Sequence, residues 1–245
     1  MAMLRRDPNE RTKLSAEQRF EKRKENRKRE LQSMLGYLEL KDGAMEKKSD
    51  VVFFCVDVEL IEVSPNPISE IGIAILDMRR VGGQSPGKRG QEWWPLMQAH
   101  HLRIKEYAGL TNYRFVQGCP DKFEFGESTF HPGSEAQDAI RAILKPFLES
   151  NRRIVLAGHD INQDVKYLSK IGFDLKHETQ RIGAVDSQVL YQVWMESDIS
   201  RSLGTVLDEL GFEYSYLHNA GNDAVHTLRA AIGVAFATTE PASPT

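Results

Sequence analysis

Two rhythms divide this chain: short, nearly unbroken apolar runs, and stretches in which apolar residues recur every three or four positions. Val51 to Leu60 (VVFFCVDVEL), Ile68 to Asp77 (ISEIGIAILD) and a shorter stretch from Ala99 to Lys105 read as three successive strands. Pro65 and Pro67, with Asn66 between them, turn the first into the second. Ser134, with Gln137 at the capping-box position, predicts a helix whose Ile140, Ile143, Leu144, Phe147 and Leu148 share one face. Arg153 to Gly158 reads as a buried strand, and a further strand falls near Ile182 to Val185. Ser202 opens a helix carrying Leu203, Val206, Leu207 and Leu210, which Gly211 can end, and Asn222 to Ala237 forms the last helix. A three-strand meander followed by alternating helix and strand predicts an α/β fold, a mixed five-stranded sheet flanked by helices.

Ahead of the first strand the material is different. Residues 1 to 50 carry a net charge of plus 4 and the remainder minus 7, so an N-terminal extension (1 to 50) is expected before a folded domain (51 to 239) and a short disordered tail (240 to 245). Ser15 and Gln18 again resemble a capping box, and Leu31, Met34, Leu35 and Leu38 mark one helical face. Arg19 to Arg29 holds seven basic residues against Glu21 and Glu25. That segment reads either as a solvated helix docked by its last turns or as a basic arm for nucleic acid or nuclear import. The two cysteines, Cys55 and Cys119, cannot build a secreted disulfide framework. No apolar run approaches membrane-spanning length and the N-terminus has no apolar signal core, so a reducing compartment, cytoplasmic or nuclear, is expected, with no membrane partner.

Two long connections, Arg79 to Pro95 and Glu106 to Gly133, have the length of functional or mobile loops. In or beside them lie Trp93, Trp94, Tyr113, Phe115, Phe123 and Phe125, interleaved with Arg79, Arg80, Lys88, Arg89, Lys105, Arg114 and Lys122. Such a set serves either as stacking platforms for a single strand or as cover for a sheet edge. Glu70, a charge within a strand, reads as a structural partner, and Tyr167, Tyr214 and Tyr216 are available to order a phosphate or a histidine.

Candidate chemistry sits at the ends of elements. Asp57 and Glu59 end an otherwise apolar strand two residues apart, so both carboxylates project from one face. Either the strand emerges into solvent there, or a cation relieves their repulsion. The segment GHDINQDVKYL follows the strand ending at Ala157: Asp160 with Gln163 fits a helix N-cap and sets Asp164 in the first turn, near the strand end where open sheets bind ligands. His218 stands five residues before Asp223, which opens the last helix; His159 and Asp164 repeat this spacing, so it is not selective by itself.

Taken in order, D-x-E on the first strand, an aspartate on a helix after the fourth, and H-x4-D opening the final helix resemble the DEDDh family of 3′-to-5′ exonucleases, with their RNase H-like fold. The resemblance runs from about Val51 to Ala237. VDVEL, GHDINQDVKYL and HNAGNDA, with the RIKEY and FEFGES stretches between them, look closest to the fungal subgroup of the Good-for-full-Dbp5 protein and the Argonaute-interacting quelling exonuclease. It implies hydrolysis of phosphodiester bonds at a single-stranded 3′ end, RNA favoured over DNA, with two Mg²⁺ or Mn²⁺ ions. Asp57 would bridge the ions, Glu59 and Asp223 would complete one, Asp164 would serve the other, and His218 would be the general base. Val58, Leu60 and Asn219 would meet the substrate. Two positions depart from the family pattern: Leu60 where a small residue is common, and Asp160 where asparagine is usual, an added charge that either tightens metal binding or caps the helix. Competing readings are an adaptor that binds nucleic acid within a ribonucleoprotein without turnover, and a nuclease that cuts internally.

Overall fold

The computed structural model describes residues 15–38 and 50–240. The rest of the expected extension, and all of the expected tail but Glu240, lie outside the described residues; Glu240 itself pairs with Arg89. The elements in chain order are α1 (Ala16–Tyr37), β1 (Val51–Leu60), β2 (Ile68–Asp77), α2 (Met78–Val81), β3 (Gln98–Ile104), β4 (Ser128–His131), α3 (Ala136–Glu149), β5 (Arg153–Gly158), α4 (Ile161–Lys170), α5 (Leu175–Glu178), β6 (Gly183–Asp186), α6 (Ser187–Trp194), α7 (Leu203–Leu210) and α8 (Ala220–Ala237).

The sheet has the strand order β4-β3-β2-β1-β5-β6, antiparallel through β1, β2 and β3 and parallel between β1, β5 and β6. This is the expected RNase H-like arrangement with six strands instead of five. The unforeseen strand, β4, is a four-residue edge segment inside the second long connection, pairing parallel to β3. Its sequence, STFH, has no apolar run because one of its sides has no neighbour.

β1 is apolar at every position up to Val56 because the sheet is covered on both faces. Val51, Phe53 and Cys55 pack against α1, α6, α7 and α8, whereas Val52, Phe54, Val56 and Val58 pack toward α3, α4 and α5. Asp57 and Glu59 continue the first of these rows, so the strand's alternation aims both at the α8 side.

The expected Ser15/Gln18 capping box is formed, and Leu31, Met34 and Leu38 are buried in the core while residues 15–26 are exposed. The helix therefore docks by its last turns. Two other expected caps are not formed. At α3 a short 3-10 turn (Gly133–Glu135) precedes the helix and Ser134 makes no cap; the carboxylate of Glu106 instead accepts the Gly133 N–H at 3.0 Å. At α4, Asp160 has left-handed backbone (φ 60°) and its side chain caps nothing. The N–H groups of Asp160 and Ile161 donate to Asp186 at 3.1 and 3.2 Å, and the same carboxylate caps α6 through Gln188 N–H.

Candidate active site

Parallel pairing of β1 with β5 runs to Cys55 and Ala157, so Asp57 lies just past the point where β5 gives way to the turn into α4. With β5 no longer alongside, the Val58 N–H donates to Asp164 Oδ1 at 3.1 Å. That bond draws the first turn of α4, and its carboxylate, against the end of β1.

The third side of the site comes from α8. Gly72 on β2 sits opposite Asp57, and a Cβ there would lie 1.7 Å from the Ala220 carbonyl oxygen. The glycine thus lets the first turn of α8 rest on bare backbone, which brings Asp223 up to Asp57 and Glu59. Asn219 and Asn222 fix the approach. Asn219 accepts from Asn222 N–H and donates to the Cys119 and Pro120 carbonyls, while Asn222 donates to the carbonyls of Lys122 and Tyr216. His218, in left-handed backbone at φ 65°, donates its N–H to Asp223 Oδ2 at 2.8 Å. Its ring is about half exposed, with Nδ1 3.9 Å from Glu59 Oε1. Ligand atoms of Glu59, His218 and Asp223 lie within 4.8 Å of one another.

Electrostatically this is a site in deficit of positive charge. Burial, and then repulsion from Asp223, Asp164, Glu59 and Glu70, holds the Asp57 carboxyl well above the usual range. Asp223 is raised by burial and by Glu59 and Glu70. Glu59 is pushed up to about 7 by burial, Glu70 and Glu62, and Asp164 to about 8 by burial with Asp160 and Asp186. Among the described residues no Lys or Arg pairs with any of the four, and Asp57 Oδ2 and Asp223 Oδ1 are buried without a hydrogen-bond partner. Orphaned buried carboxylate oxygens are costly, and a hard divalent cation ligated by oxygen is the group that relieves them. The donor set fits such an ion.

The structure thus draws Asp57, Glu59, Asp164, Asp223 and His218 to one end of the sheet. Three expected substrate contacts fare differently. Leu60 is half-buried and its carbonyl accepts from Asn112. The Val58 side chain is buried in the core on the opposite face of β1, and Asn219 is fully buried with its amide committed to capping and loop carbonyls. Neither of those two side chains is placed to touch a nucleotide.

Of the aromatics, Trp93 is a core residue, Trp94 packs on Phe212 and Arg229, and Phe123 and Phe125 cover His101 and His226. Only Tyr113 and Phe115 of that set are strongly exposed. Glu70 is the structural partner expected, bonded to His101 Nε2 at 2.8 Å, and it also adds negative charge behind Glu59. Asp186 and Gly72 were not foreseen. The aspartate's position between a strand and a helix was a readable capping signal; the glycine's need was invisible without α8.

Residues 52–234 match the family model described as DNA polymerase III subunit epsilon-like, C-terminal domain. A fission-yeast protein (Schizosaccharomyces pombe), "Uncharacterized nucleolar protein C2C4.08", is 30% identical over 182 residues, covering 73% of this chain and 66% of its own. "Good for full DBP5 activity protein 2" of Saccharomyces cerevisiae is 31% identical over 199 residues, 72% of this chain and 34% of its own. A second protein of that yeast, "Uncharacterized protein YDR514C", is 28% identical, and the chain spans 39% of its length. Among solved structures, exonuclease I superposes with a TM-score of 0.46 at 11% identity over 75% of this chain and 40% of that one. The RNase domain of yeast Pop2 gives 0.39 at 12%, over 87% and 84%. With a family model spanning three quarters of its length and enclosing every residue of the acidic cluster, the chain belongs to the DEDDh exonuclease family.

Proposed function

We propose that this chain is a divalent-metal-dependent 3′-to-5′ exonuclease that removes nucleotides from the 3′ end of nucleic acid, RNA in preference to DNA. The observation that carries the reading is the pair of buried, unpartnered oxygens, Asp57 Oδ2 and Asp223 Oδ1, beside Glu59 and a half-exposed imidazole. Asp57, Glu59 and Asp223 would hold one Mg²⁺ or Mn²⁺, and Asp57 with Asp164 a second. When bound, such ions supply the positive field that activates water and offsets charge on the scissile phosphate and the leaving oxygen.

The remaining work falls to the protein. His218 has, apart from Glu59, no ring partner among the described residues, so its nitrogen is available to take a proton from the attacking water. Its backbone bond to Asp223 fixes the base relative to the carboxylates. Val58 N–H holds Asp164 by one oxygen and leaves the other for a cation. RNA preference rests on the resemblance to the fungal subgroup, and the nucleolar description of the fission-yeast relative supports a nuclear location.

Incubating the protein with 5′- and 3′-labelled oligonucleotides and Mg²⁺ or Mn²⁺, beside Asp57→Ala, tests this. A ladder shortening from the 3′ end, absent in the variant, is expected; mid-chain fragments would indicate internal cutting. A second reading, an adaptor of a ribonucleoprotein, is favoured by one observation: the first turns of α1 present Arg19, Lys22, Arg23 and Lys24 to solvent. Oligonucleotides that shift in a gel but stay intact with metal would select it.

A further inference from the structure

Segment 112–119 joins the two arms of the acidic site. At one end Asn112 donates to the Leu60 carbonyl at 2.6 Å and accepts the Glu62 N–H at 3.0 Å, which ties it to the end of the strand that bears Asp57 and Glu59. The Glu62 carboxylate then accepts three successive backbone N–H groups, those of Arg114, Phe115 and Val116, at 2.8 to 3.1 Å. The Gly118 N–H closes the segment on the Asn112 carbonyl at 3.0 Å. At the other end Cys119 N–H donates to the carbonyl of His218 at 3.3 Å. The result is an arch whose feet stand on the residues flanking the general base and the carboxylates.

An arch this heavily bonded is preorganised, yet its crown does not pack. Tyr113 is 83% and Phe115 74% exposed, while Trp93, Trp94, Phe123 and Phe125 are turned into the fold. The guanidinium of Arg114 stands 4.9 Å from the Phe115 ring centroid. Two exposed rings with a cation between them, held rigidly at the rim of a phosphodiester site, match what grips single strands: flat faces for bases and positive charge for phosphates.

From this geometry we infer that Tyr113 and Phe115 form a stacking subsite for the unpaired bases next to the scissile 3′ phosphate, with Arg114 meeting the intervening phosphate. The inference rests on the exonuclease reading and deepens it by assigning the grip on an unpaired 3′ end to two named rings and the cation beside them. In a blunt duplex every base face but the outer face of the terminal pair is already stacked within the helix and cannot lie on the rings, so paired ends are poorer ligands for this rim.

The test uses the full chain, Tyr113→Ala/Phe115→Ala and the ring-keeping Tyr113→Phe/Phe115→Tyr. Both positions face solvent, so folding is undisturbed. Substrates are an oligonucleotide with 2-aminopurine in an unpaired 3′ tail, its blunt duplex, and p-nitrophenyl thymidine 5′-phosphate, which has no further base to stack. The double alanine variant is expected to lose 2-aminopurine quenching, to raise KM for the tailed strand by about tenfold or more per ring, and to lose the preference for tail over blunt end. Turnover of the p-nitrophenyl ester should stay unchanged, and the ring-keeping variant should behave as wild type. Unchanged KM and quenching in the alanine variant, with wild type binding and cutting normally, would overturn the inference alone. Ring-dependent binding without any metal-dependent turnover would uphold the rings as a single-strand stacking site but sink the exonuclease reading and, with it, their place beside a scissile phosphate. A wild-type protein that neither binds nor cuts the tailed strand would overturn both.

Discussion

His159 and Asp164 have the same spacing as His218 and Asp223, and each pair spans the entry from a loop into a helix, yet the two regions do opposite things with their imidazoles. The His159 ring is used up internally: Nδ1 meets Ser187 Oγ and Nε2 the Arg201 carbonyl, both at 2.8 Å. The His218 ring is half in solvent beside Glu59. The difference begins one residue later. Asp160 has left-handed backbone with its helix capped by distant Asp186, whereas Asn219 is extended and caps its own helix, leaving His218 to carry the positive φ that swings its ring outward. A shared spacing therefore defines how far apart two side chains can lie, and the cap between them decides where the histidine looks.

The largest effect should come from the two aspartates, where the regions agree. Asp223→Asn and Asp164→Asn should each reduce cleavage by about 10³-fold or more, since an ion contributes several kcal/mol to transition-state charge at about 1.4 kcal/mol per tenfold. Thermal denaturation gives a second readout: Mg²⁺ or Mn²⁺ should raise the wild-type midpoint, and less in either variant.

Next in size, the histidines should part company. His218→Ala is expected to cost about 10²-fold to 10⁴-fold in kcat, the usual contribution of a general base, with little change in stability. His159→Ala should keep kcat within a few-fold yet lose about 1–3 kcal/mol in urea denaturation, because the half-buried ring's two hydrogen bonds, to Ser187 Oγ and the Arg201 carbonyl, are lost. Equal kinetic losses in the two variants would erase the distinction.

Smaller again is Gly72→Ala. Its methyl group would overlap the Ala220 carbonyl, so α8 must lift, at about 1–3 kcal/mol of stability. Activity should fall further than that stability loss explains, because only the His218–Asp223 arm is displaced.

The smallest effect concerns pH. Burial holds the His159 pKa below its ordinary value, so the unfolded chain takes up that proton first as pH drops. The stability contributed by neutral His159 is present above about pH 6.5 and is lost as pH falls toward its folded value. Replacing it with Gln should flatten the acid side of the stability profile by at most about 1.4 kcal/mol per pH unit; an unaltered profile would place His159 in solvent.

Much of this was legible without coordinates. Apolar runs buried on both faces marked β1, β2 and β5, and Ser15 and Ser202 were read as caps and are caps. Reading failed where the partner is distant in sequence. Ser134 and Asp160 have the local pattern of caps, but neither side chain caps its helix; carboxylates distant in sequence, Glu106 and Asp186, bond the backbone at those entries instead, through the N–H groups of Gly133 and of Asp160 and Ile161. Trp93, Trp94, Phe123 and Phe125 share a polar, glycine-rich setting with Tyr113 and Phe115, and nothing in the one-dimensional order separates buried rings from exposed ones.

The order of acidic residues, their placement at the ends of strands and helices, and the two-faced burial of the sheet were written in the chain, because periodicity and capping are local physics acting over a few residues. Tertiary structure alone decided that α8 lands on the bare backbone of Gly72, that Asp164 is held by the Val58 amide, and that two carboxylate oxygens remain without partners. Those outcomes depend on which groups meet across more than a hundred residues of chain, and a close approach or an unsatisfied charge exists only once both sides of the contact are in place.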